Sequence, residues 1–116
     1  MVTKKVFFMD CHLAGRKYHD ADEVWDELKV GTIVELRRDL ENRFDGYAVQ
    51  VVYTDADGEE FCLGYVPSGE NEDLANFLEM GWGKIFEARI SRIIPEAHPE
   101  QQIQLTIKIR RNEKLS

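Results

Sequence analysis

From Ile103 to Ile109 the chain reads Ile-Gln-Leu-Thr-Ile-Lys-Ile, apolar and polar strictly in turn. Successive side chains of an extended chain point to opposite faces, so Ile103, Leu105, Ile107 and Ile109 share one side of a strand. Residues 86–94 alternate almost as well, with Phe86, Ala88, Ile90 and Ile93 inward. Residues 32–38 carry Ile33, Val34 and Leu36, the β-branched and apolar content of a strand. Residues 48–54 set Val49, Val51 and Tyr53 against Gln50 and Val52, and residues 60–66 return as a partner. Asp55-Ala56-Asp57-Gly58 between them is a hairpin turn signal. Val6-Phe7-Phe8-Met9 opens a first strand, which runs to Leu13 and is broken by Gly15. Two segments follow a helical period instead. Val24, Trp25 and Leu28 fall on one face behind Asp20 or Asp22 as N-cap, and Leu74, Phe77 and Leu78 do so within residues 71–80.

The sum is about six strands and two short helices, a mainly β (α+β) chain. Strands that outnumber helices and are joined by short turns predict a small curled sheet or OB-like/SH3-like β-barrel, with helices plugging its gaps. At 116 residues and 43% hydrophobic, the chain has the length and apolar content of one compact domain, expected over residues 1–116. No apolar run approaches the length of a membrane span or of a signal peptide, so the expectation is a cytoplasmic protein with no membrane partner. Cys11 and Cys62 are two cysteines far apart in sequence, expected as reduced thiols on strands.

The net charge is −7, from 15 Lys and Arg against 22 Asp and Glu. That balance argues against a general polyanion binder. Its distribution changes the picture. Residues 20–27 hold five acids, 55–60 four and 70–79 four, and none of these segments holds a Lys or Arg. The other nine acids face all 15 cations, a remainder of +6. Room is left for a local basic site.

Catalytic patterns are absent. There is no nucleophile elbow, no phosphate-cradling glycine loop and no HExxH. Cys11 and His12 are neighbours on a strand and point apart, and three scattered histidines do not make a zinc site. The acidic 55–60 segment has its glycine too early for a calcium loop. Neither a metal nor a small-molecule cofactor is expected, and no enzymatic activity. A nuclease would need converging carboxylates, for which Asp39, Glu41 and Asp45, close in sequence, are the candidates.

Two clusters set cations beside aromatics: Gly15-Arg16-Lys17-Tyr18-His19, and the stretch from Arg38 to Val49 with Asn42, Phe44 and Asp45. An aromatic face stacks on a nucleobase, Lys and Arg bind phosphate oxygens, and Asp and Asn bond sugar hydroxyls or base edges. The order Arg38-Asp39-x-x-Asn42-x-Phe44-Asp45-x-x-Ala48-Val49, preceded by Gly15 to Tyr18 and followed by Leu63-Gly64-Tyr65-Val66-Pro67, resembles the HIRAN domain over residues 5–92. The strand at 103–110 and the tail at 111–116 lie beyond that core.

The resemblance implies a modified OB-type barrel that binds the 3′ end of single-stranded DNA and recognises its free hydroxyl. Asp45 would bond that hydroxyl, Phe44 and Tyr18 would stack, and Lys17 would meet a phosphate. Asn42 would face the terminal nucleotide, and Arg38 would hold the loop or bind phosphate. His19 stands where a second aromatic is usual, and Tyr65 stands in the Gly-Tyr-Val strand. Leu40 replaces the family's proline, Phe44 lacks a tyrosine hydroxyl, and Pro67-Ser68 occupies a region of lysines. In eukaryotes the domain is fused to remodelling helicases, so proteins of DNA processing are further implied partners. A protein-interaction or scaffold domain on the same barrel, with no nucleic-acid ligand, is the alternative.

Overall fold

The structure, a computed structural model, describes residues 4–112. Its six strands are β1 (Lys5–His12), β2 (Ile33–Arg38), β3 (Val49–Thr54), β4 (Glu60–Tyr65), β5 (Phe86–Ile93) and β6 (Ile103–Arg110). They form one antiparallel sheet in the order β1-β6-β5-β2-β3-β4. Leu63, Ile90, Ile103, Leu105 and Ile107 are fully buried, so the alternation in β5 and β6 marks the inner face. Ile109 and Ile93 pack against that core from its edge.

Curvature has identifiable sources. β2 changes partner half-way, pairing Ile33 and Val34 with β5 and Glu35 to Arg38 with β3. Register shifts at Phe7/Met9, Val51/Val52 and Ile90/Arg92 bend their strands further. The sheet then closes on itself just beyond β1. Ala14 donates its N–H to the Tyr65 carbonyl at 2.8 Å, and Tyr65 donates to the Ala14 carbonyl at 2.9 Å. Gly64 makes this approach possible. A Cβ there would sit well inside contact distance of the Ala14 oxygen and 3.0 Å from Leu13 Cγ. The result is the mainly β, OB-like barrel expected from the sequence.

Helix α1 (Glu72–Glu79) buries Leu74 and Ala75, and two acids in its first turn suit the helix dipole. Its Phe77 meets Phe86 edge-on at 5.6 Å and Phe8 at 6.3 Å, which plugs the barrel. The other expected helix is a 3-10 segment (Asp20–Glu27), kinked at Val24 where φ is −122°. Aspartates are weak helix formers, and the segment is held by packing of Ala21, Val24 and Leu28, so three-residue closure suffices. Short 3-10 turns also occur at Arg16–Tyr18, Gly83–Ile85 and Pro99–Gln101. No helix is long and apolar enough to cross a membrane among the described residues. Cys11 and Cys62 are free thiols on β1 and β4, and burial pushes Cys11 up to about 12. Residues 113–116 of the expected tail lie outside the described residues.

Candidate nucleic-acid interface

Residues 39–47 join β2 to β3 and are polar, so their shape depends on where each backbone group finds a partner. Asn42 Oδ1 accepts from the N–H of Phe44 at 2.8 Å and of Asp45 at 3.0 Å. Asp39 Oδ1 accepts from Glu41 N–H, and Asp45 Oδ1 from Tyr47 N–H at 2.9 Å. Arg38 ties the loop from below. Its guanidinium donates to the carbonyls of Ala48 at 2.8 Å and Gly46 at 2.6 Å, and to Glu79 of α1 at 2.5 and 2.8 Å. The two roles left open for Arg38 therefore separate: its N–H groups hold the loop, and its side chain is 11% exposed.

Asp45 has a second partner that spacing does not reveal. Its Oδ2 accepts from Asn71 Nδ2 at 2.8 Å, and Asn71 is 1% exposed. Asn71 stands at the N-cap of α1 yet makes no side-chain capping bond, because its amide faces the loop instead. A capping-type residue before a helix was the available signal, but it predicts a cap and not a carboxylate partner. Asp45 is thus fixed by two donors on its two oxygens. Phe44 beside it is 99% exposed.

The second cluster sits on the turn after β1. Gly15 takes a left-handed φ of 70°, and its N–H donates to both oxygens of Glu100, at 2.9 and 3.2 Å. Arg16, read in the sequence as one more cation of the cluster, is buried. Its guanidinium lies 4.3 Å from the Trp25 ring centroid and donates to Asp22 at 2.6 Å. With Arg16 as anchor, Lys17 and Tyr18 point outward, and Tyr18 is 78% exposed. His19 turns back onto Tyr65, ring centroids 5.2 Å apart. Tyr65 in turn donates its hydroxyl to Asp39 Oδ2 at 2.7 Å and accepts from Gln50 at 3.4 Å. Burial, then the Asp39 bond, pushes the Tyr65 phenol up, so it stays a donor.

The chain His19–Tyr65–Asp39 joins the two clusters, with Arg38, Asn42 and Asp45 around the loop. Lys17, Tyr18 and Phe44 are not drawn into it. Their side chains carry no hydrogen bond, ion pair or ring contact among the described residues, which leaves two ring faces and an ammonium presented to solvent. Among the described residues no group of three or more His, Cys, Asp or Glu is placed to hold a metal ion.

The HIRAN domain family profile matches residues 6–111. The chain belongs to the HIRAN domain family. The HIRAN domain is a nucleic-acid-binding module rather than a catalytic one. Two solved structures share the fold. A protein from Lactobacillus plantarum is 20% identical with a TM-score of 0.73, over 93% of this chain and 97% of that one. The HIRAN domain of human HLTF is 18% identical with a TM-score of 0.61, over 96% of this chain and 83% of that one. No curated protein matches the chain.

Proposed function

We propose that this HIRAN domain binds the 3′-hydroxyl end of single-stranded DNA at Lys17, Tyr18, His19, Asn42, Phe44, Asp45 and Tyr65. The observation that carries the reading is the loop tip, where a carboxylate fixed by two donors stands next to a fully exposed ring. A carboxylate held this way accepts a hydroxyl proton without first being ordered. A terminal phosphate would set like charge against Asp45 and be rejected. Phe44 and Tyr18 offer stacking faces worth about 1–3 kcal/mol per base. Lys17 offers a phosphate contact.

The test is fluorescence anisotropy with short single strands ending in a 3′-hydroxyl or a 3′-phosphate. The hydroxyl end is expected to bind at least about tenfold more tightly, and Asp45→Asn to erase the difference. Equal affinity for both ends overturns end recognition.

A second reading, a protein-interaction domain, draws on a different face. The groove between β2 and β5 is lined by Ile33, Gly81, Gly83, Lys84 and Phe86. Met80 and Trp82, in the turn that edges it, are 70% and 59% exposed. Native co-purification of a stable protein partner that is lost in Trp82→Ala, with no nucleic acid retained, favours that reading.

A further inference from the structure

The outer face of β1, β6 and β5 collects charge of the opposite sign to the rest of the molecule. Residues directly opposed in neighbouring strands share a face. Lys5 is opposed to Arg110, Phe7 to Lys108, and Lys108 to Glu87, while Thr106 is opposed to Arg89. The partners of the buried Ile107 and Leu105 lie on the other side, so this set points outward. Lys4 and Arg111 extend it, and with Lys5, Val6, Ile109 and Arg110 they line a shallow cleft.

Two acids share it: Asp10, opposed to Thr106 and accepting from its hydroxyl at 2.6 Å, and Glu87 among the cations. Glu87 is 8% exposed and accepts from Lys5 at 2.6 Å and Arg89 at 2.8 Å, with Arg110 at 3.8 Å. Lys108 makes no ion pair among the described residues. Six cations against two carboxylates, Glu87 and Asp10, leave a surplus of +4 on this face, in a chain whose net charge is −7. Glu87 orders the cations without cancelling them. Beside Lys108 the ring of Phe7 is 62% exposed.

We infer that this face is a second nucleic-acid surface, which holds the sugar-phosphate backbone of a single strand without reading its end. Clustered cations with an exposed aromatic are the combination that tracks a strand and stacks a base. The face does not depend on the end pocket: Lys5 lies nine residues from Ala14 along β1, about 30 Å at roughly 3.3 Å per residue. The acids elsewhere repel other approaches, so the face also orients the incoming strand.

The test uses a strand with no end. Fluorescent circular single-stranded DNA is titrated with the protein at about 50 and 200 mM salt. Wild type is expected to bind with a steep salt dependence. Lys108→Gln with Arg110→Gln is expected to weaken binding at least about tenfold at the lower salt and to flatten the log–log slope by about 1.4, two phosphate contacts' worth. Lys4→Gln alone gives a smaller loss of the same sign. Arg43→Gln, an exposed cation outside this face, is expected to stay within about twofold of wild type. No binding to the circle, or an equal loss in Arg43→Gln, overturns the inference. Failure of end recognition would show with linear strands only and leaves this result standing.

Discussion

Arg38 and Glu87 are both charged side chains drawn into the barrel wall, and they organise their surroundings in opposite ways. Arg38 gathers oxygens: two loop carbonyls and the Glu79 carboxylate. Its charge goes into the shape of residues 39–47, and little of it faces outward. Glu87 gathers cations that sit on strands already fixed by the sheet. Its charge builds no backbone, and the surplus beyond it is presented to solvent. One centre makes a small site of defined geometry. The other makes a broad field, which attracts without discriminating.

Replacing Arg38 should therefore be the more damaging change. Arg38→Ala strands two carbonyls and Glu79 and is expected to cost about 2–4 kcal/mol in denaturant unfolding. Amide exchange at Phe44 and Asp45 should quicken with it. A cost below about 1 kcal/mol would erase the contrast with Glu87.

Glu87→Gln is expected to cost less, about 1–2 kcal/mol at neutral pH, since its partners Lys5 and Arg110 are 42% and 46% exposed and screened. Its signature is in acid. Lys5 first, then Arg89, holds the Glu87 carboxyl down to about 2. An unfolded glutamate titrates near 4.3, so this contribution is complete above that pH and is lost as pH falls towards 2. Urea melts of wild type and Glu87→Gln should converge over that window. A gap that stays constant with pH would mean that Glu87 acts by packing and not by charge.

Asn71→Ala sharpens the comparison inside the loop. It leaves Asp45 Oδ2 unpaired beside a small cavity and is expected to cost about 1 kcal/mol in thermal unfolding. Affinity for a 3′-hydroxyl strand should fall with it, by titration. Phe44→Ala should be the mildest for stability, within about 0.5 kcal/mol, because the ring touches nothing. Its loss should appear only in binding, by roughly 1–3 kcal/mol.

Patterns of period two carried the strands, because burial on one face writes itself directly into residue type. The inner face of β6 is read straight from Ile103, Leu105 and Ile107. What escaped depends on contacts between distant residues. The barrel closes through a single bridged pair, Ala14 and Tyr65, and its only trace is Gly64 inside a strand. The segment at 20–27 has helical spacing, yet Arg16 stacked on Trp25 helps hold it as a kinked 3-10 form. In the candidate site, the motif named the loop residues together. It did not name Asn71, which lies 26 residues from Asp45 and reads only as the first residue of the second helix. Arg16 read as a surface cation and is an anchor. Glu87 carried no signal of its own in the sequence and is buried among the cations around it.

Tyr65 both closes the barrel and belongs to the candidate site, its backbone paired with Ala14 and its ring against His19. Binding at the proposed site would therefore be thermodynamically linked to opening of that bridge. A ligand that engages His19 or Tyr65 in the closed form must slow the opening of the seam, in proportion to its occupancy. The Ala14 and Tyr65 amides become native reporters of binding: their hydrogen exchange reads occupancy from inside the backbone, with no label on the protein or the strand.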